Sequence, residues 1–99
     1  MSVRLVISMS AVHGKGAELA KAMAQRCLEV QKEPGCEQFE VFQSAVEPDH
    51  LTLLELWKDQ AALDVHAAGM ANQPPNPAMA GLRADGPGQR EDYEYNRTR

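Results

Sequence analysis

Leu53-Leu54-Glu55-Leu56-Trp57-Lys58-Asp59-Gln60-Ala61-Ala62-Leu63-Asp64-Val65-His66 is the stretch on which the fold turns. Up to Trp57 it has the period of a strand. Leu53, Glu55 and Trp57 alternate onto one face, because successive side chains of extended backbone point to opposite sides. From Asp59 the period changes to that of a helix. Asp59 is a natural N-cap, since its short carboxylate accepts hydrogen bonds from the N–H groups that open a helix. Beyond it Ala62, Leu63, His66 and Met70 fall on one helical face.

Before this stretch, Cys36 to Ser44 also alternates, with Phe39 and Val41 on one side and Glu40 and Phe42 on the other. The turn Glu47-Pro48-Asp49-His50 joins it to Leu51–Lys58, so the two runs form an antiparallel hairpin. Val3 to Met9 is a short β-branched and apolar run that suits a covered strand. Gly14 and Gly16 break it, and from Ala17 to Gln31 the residues Leu19, Ala20, Met23, Cys27 and Val30 recur at helical spacing. Glu33-Pro34-Gly35 stops that helix, because proline cannot continue it and glycine accepts the left-handed turn.

After the second helix, Asn72 to Pro77 contains three prolines and reads as a loop. Pro77 suits the first turn of a short helix through Leu82, and Asp85-Gly86-Pro87-Gly88 reads as a turn. Gln89 to Arg97 alternates through Tyr93 and Tyr95 as a fourth strand. The order β-α-β-β-α-β predicts an α+β, ferredoxin-like domain over residues 1–99, with a four-stranded antiparallel sheet and helices on one face. The bare sheet face needs cover, which a second copy of the chain supplies by closing a shared barrel.

The chain has 99 residues, a formal net charge of −4, 43% hydrophobic residues and few aromatics, so the core is built from Leu, Val, Ala and Met. A phosphate-backbone binder needs clustered Lys and Arg, and the basic end Arg97-Thr98-Arg99 closely follows Glu91-Asp92; nucleic acid is not an expected partner. No apolar run approaches the roughly 20 residues of a membrane span, and Met1–Ser10 lacks the pattern of a signal peptide, so no membrane association and a cytoplasmic location are expected. Cys27 and Cys36 are too widely spaced for a zinc or redox motif and read as reduced thiols. His13, His50 and His66 show no ligand spacing, so no metal site is expected.

Glu55 is a carboxylate inside a Leu-rich strand, which costs free energy unless it meets a partner such as His66 or an Arg, or reaches a wet cavity. His66, with Leu63 and Met70 beside it, reads either as a proton-transfer group near neutral pH or as a buried histidine bonded to a backbone carbonyl or to Glu55. Trp57 is a core anchor or a wall for a flat ring. Asn72 is a turn residue or a hydrogen-bond donor to a ligand oxygen.

Glu33-Pro34-Gly35-Cys36, the strand with Phe39 and Phe42, and Leu54-Glu55-Leu56-Trp57 followed by a helix with His66 nine residues after the Trp together resemble the antibiotic biosynthesis monooxygenase family. The resemblance covers about residues 3–70. It implies a dimeric α+β barrel and, for several members, oxidation of dihydroxyaromatic or quinol-like molecules by molecular oxygen without metal or flavin. On that pattern His66 is the base, oriented by Glu55, while Trp57, Phe42 and Met70 confine the ring and Asn72 bonds a substrate oxygen. The resemblance thus implies a homodimeric, cofactor-free monooxygenase. The alternatives are a non-catalytic ligand-binding dimer and an oxygen-independent isomerase or lyase with His66 as base. The family's haem-degrading branch is not expected, because His66 stands where that branch carries Trp and the first strand has no Asn.

Overall fold

A computed structural model describes residues 1–74, 76–84 and 89–95. Its elements are β1 (Ser2–Ser10), α1 (Gly16–Val30), β2 (Cys36–Gln43), β3 (His50–Trp57), α2 (Gln60–Ala71), a 3-10 turn (Pro77–Met79) and β4 (Gln89–Tyr95). The strands form one antiparallel sheet in the order β2-β3-β1-β4. This is the ferredoxin-like α+β arrangement, and β1 and β3 lie at its centre. Each predicted strand and both helices form within a residue or two of the expected bounds. The 3-10 turn ends at Met79 where a helix through Leu82 was expected; Asn76 Oδ1 caps it by accepting from Ala78 N at 3.0 Å. The predicted turn at 85–88 and the end of the fourth strand at 96–97 lie outside the described residues.

The inner face of the sheet carries Val3, Leu5 and Met9 of β1, Phe39 of β2 and Leu51, Leu53 and Trp57 of β3, all buried. Onto it α1 lays Leu19, Met23, Cys27 and Val30, and α2 lays Leu63 and His66. Asp59 caps α2, its Oδ1 accepting from Ala62 N at 2.8 Å. The outer face carries Val6 opposite Leu54 and Arg4 opposite Leu56, together with Phe42 and Tyr93, which are 46% and 52% exposed. Among the described residues no helix is long and apolar enough to cross a membrane.

Gly35 ties the two helices together. Its φ is +81°, in the region that favours glycine, and its carbonyl accepts from Lys58 N at 2.8 Å. A Cβ built there would stand 2.6 Å from the Ala62 side chain, in the first turn of α2. The turn after α1 is thereby held against the start of α2. Gly35→Ala is expected to lower stability by about 2 kcal/mol or more, through left-handed strain plus the clash. Gly69→Ala, at a helical site where nothing lies within 4 Å of the added methyl, is expected to raise it by roughly 0.5–1 kcal/mol. Urea unfolding of the two variants checks both signs, and equal effects would contradict this packing.

Candidate functional site

Between the inner sheet face and the helices lies a cavity of about 390 Å3. Leu5, Ile7 and Leu53 form its sheet wall, Met23 and Leu63 part of its helical wall, and Met70 and Met79 stand at its edge. Among the described residues its polar lining consists of Glu55, His66 and three arginines, Arg26, Arg83 and Arg90.

His66 is 5% exposed and is fixed on three sides. Its ring stacks on Trp57, with centroids 4.7 Å apart and planes at 30°, and Phe39 meets it edge-on at 5.5 Å. Its Nδ1 lies 2.8 Å from Glu33 Oε1. A carboxylate only accepts, so this pair puts the proton on Nδ1 and leaves the Nε2 lone pair free. Nε2 has no partner among the described residues, and no buried polar atom there is unsatisfied, so Nε2 opens to the cavity that His66 lines.

Glu55 is 4% exposed, and its Oε1 accepts from Trp57 Nε1 at 2.9 Å. Burial pushes its carboxyl pKa up; the Trp57 hydrogen bond and the charges of His66 and Arg90 only partly oppose this. Arg90 is held by Asp92, through Nε at 2.7 Å and Nη2 at 3.0 Å.

Of the residues singled out in the sequence, His66, Glu55 and Met70 meet around one cavity, Met70 being half exposed. Trp57 is not on the wall. It is fully buried behind Glu55 and His66 and orients both. Phe42 points from the opposite face of the sheet, where the alternation from Phe39 puts it. Asn72 is exposed at the end of α2, donates to Ala68 O at 3.1 Å and is not among the residues that line the cavity. Glu55 does not bond His66; that partner is Glu33, which the sequence suggested only as part of a helix stop. Arg26, Arg83 and Arg90 also escaped the sequence reading, since no periodicity links α1, the segment after the 3-10 turn and β4. Among the described residues no three His, Cys, Asp or Glu side chains gather as metal donors.

A carboxyl whose folded pKa lies above its unfolded value holds more protons folded than unfolded between the two, so stability falls as pH rises through that window. Glu55 is such a group. Glu55→Gln keeps an oxygen for Trp57 Nε1 and removes the titration. The melting temperature of the wild type relative to Glu55→Gln is therefore expected to fall as pH rises upward from about 4, the ordinary carboxylate range. A difference independent of pH would show that Glu55 is solvated like a surface carboxylate.

Comparison with known proteins matches residues 2–71, from β1 to the end of α2, to the family described as antibiotic biosynthesis monooxygenase. None of the curated proteins compared with the chain matches it. Among solved structures, a protein from Shewanella oneidensis is 28% identical with a TM-score of 0.73, over 93% of this chain and 88% of its own. A conserved protein from Methanosarcina mazei is 24% identical with a TM-score of 0.74, over 97% and 94% of the two chains. SnoaB, a cofactor-independent oxygenase from Streptomyces nogalater solved as a point mutant, is 16% identical with a TM-score of 0.73, over 98% and 95%. The family match spans Glu33, Glu55, Trp57 and His66, and on it this chain belongs to the antibiotic biosynthesis monooxygenase family.

Proposed function

We propose that this protein is a cytoplasmic, homodimeric, cofactor-independent monooxygenase that oxidises a small aromatic or quinol-like molecule with molecular oxygen. The observation that carries the reading is the His66 imidazole, buried at the cavity wall with Nδ1 on Glu33 and Nε2 open. Similarity to the fold of SnoaB, a cofactor-independent oxygenase, points the same way.

In this mechanism His66 Nε2 takes the phenolic proton of the bound ring, and Glu33 stabilises the imidazolium from the Nδ1 side. The electron-rich anion gives one electron to oxygen, and the resulting radical and superoxide combine at a ring carbon. The His66 imidazolium returns its Nε2 proton to the peroxide, and the hydroperoxide loses water together with the hydrogen on the same ring carbon to leave a carbonyl, so one oxygen atom enters the product and the other leaves as water. Apolar walls keep bulk water from the anion, and the cavity holds ring and oxygen together.

Oxygen uptake by the chelator-treated protein against hydroquinones and anthrone-like phenols tests this. His66→Ala is expected to lower kcat about 100-fold or more. Glu33→Gln is expected to lower kcat about tenfold while leaving KM nearly unchanged and moving the pH profile, as for a group that orients a base. Unchanged uptake in His66→Ala would remove His66 as base. Conversion of substrate without uptake would favour an isomerase or lyase, and ligand binding without any conversion a binding protein.

The homodimer is supported by the uncovered outer sheet face, where Val6, Leu54, Leu56 and Phe42 lie together. Leu54→Arg is expected to shift gel-filtration elution from the mass of two chains to that of one. A wild-type protein that elutes as one chain at micromolar concentration would end the dimer reading.

A further inference from the structure

Among the described residues, the side chains that line the cavity itself carry more cationic than anionic groups. Its walls are apolar, and its charged lining is one buried carboxyl, Glu55, against three guanidinium groups. Two of these are engaged: Arg26 Nη1 donates to Glu29 Oε2 at 2.9 Å, and Arg90 is held by Asp92. Arg83 has no side-chain partner among the described residues. Its backbone is nonetheless fixed. Arg83 bridges Ala11 at the end of β1, between the hydrogen bonds Val12 N to Leu82 O at 2.8 Å and Ala84 N to Ser10 O at 2.9 Å. An unpaired guanidinium on an open surface is ordinary; this one is also exposed, but it starts from backbone pinned by an isolated bridge and lines the rim of a concave, largely apolar cavity, where field lines are focused. Burial also favours the neutral form of Glu55, which reduces the negative charge facing the cavity.

We propose that the cavity takes an acidic ligand, a one- or two-ring apolar body bearing a single carboxylate or phosphate group, and that Arg83 anchors that anion at the rim. The planar fork of a guanidinium matches both anions. A volume of about 390 Å3 suits a fused ring pair rather than an extended chain. With the anion at Arg83, the ring lies among Leu5, Leu53 and Leu63, and a hydroxyl on its far side faces His66 Nε2. This inference rests on the cavity being the binding site of the proposed function, but not on any reaction with oxygen.

Calorimetric titration of the full chain with naphthoate, naphthyl phosphate and neutral naphthylmethanol tests it, under nitrogen and at two salt concentrations. At least one acid is expected to bind about tenfold tighter than the alcohol, the size of one charge-assisted contact at a partly open site. Which acid it is identifies the anion. Arg83→Gln is expected to abolish the preference and Arg83→Lys to keep part of it. Lys21→Gln, which removes the same charge from the solvent-facing side of α1, is expected to leave it unchanged. Equal affinity for acids and alcohol, a preference that survives Arg83→Gln, an equal loss in Lys21→Gln, or no binding of any probe would each overturn the proposal. Because no turnover is measured, failure of the oxygenase reading and failure of the acid preference are separately visible.

Discussion

Glu55 puts a carboxyl on the inner face of a central strand, and the hydrogen bond from Trp57 Nε1 satisfies one of its oxygens there. Both partners gain from the contact. An indole N–H left without an acceptor in the core costs about 1–3 kcal/mol, and a buried carboxyl without a donor costs at least as much. Bonded two residues apart along one strand face, the pair locks the Trp57 ring. The locked ring is the platform on which His66 stacks, and Phe39 closes the other side. Glu33 then needs only to reach Nδ1, and Gly35 brings it there by letting the turn after α1 approach α2. Loss of Trp57 would therefore disturb the imidazole without Trp57 touching a ligand.

The cavity exists because the helices do not seal the whole sheet. On β4 the register pairs Arg90 with Ile7, Asp92 with Leu5 and Glu94 with Val3, so three charged residues occupy the inner-face positions of that edge strand. Charged side chains there cannot be covered by apolar helix faces without desolvation. The space between α1, α2 and the centre of the sheet therefore stays open toward β4 and the segment that carries Arg83. The same feature that prevents complete packing leaves Arg90, held by Asp92, at the cavity wall.

Much of this was legible in the chain. Period-two alternation in β3, Asp59 as a cap and Pro34-Gly35 as a stop are local signals, and each formed as its chemistry requires. Alternation from Phe39 also placed Phe42 on the far side of the sheet; only the family pattern drew it into the pocket. Glu33 was illegible for a different reason. It lies 33 residues from His66 in the chain, and no periodicity spans a turn, a hairpin and a helix. Arg26, Arg83 and Arg90 share that difficulty, since three elements converge on them only through the sheet order. Glu55 was correctly identified as a carboxyl needing a partner, but the donor was its own strand neighbour, a contact that intervening burial and ring orientation decide.

In the proposed reaction the Glu33–His66 pair also bears on where the substrate's proton goes. His66 is sealed, but the Glu33 side chain is 31% exposed. If Nε2 takes a proton from substrate, the Nδ1 proton lies on a hydrogen bond whose other end touches water. Glu33 then holds the Nδ1 proton while Nε2 carries the substrate's, and the imidazolium gives the Nε2 proton back to the peroxide formed from oxygen, so no proton has to cross the apolar wall and the Nδ1–H tautomer is restored. A carboxylate buried as deeply as Glu55 would not serve this purpose, because burial pushes its own pKa up and it has no comparable route to solvent. The two acidic residues near His66 therefore differ by exposure: buried Glu55 holds the Trp57 platform, and partly exposed Glu33 holds Nδ1 of His66.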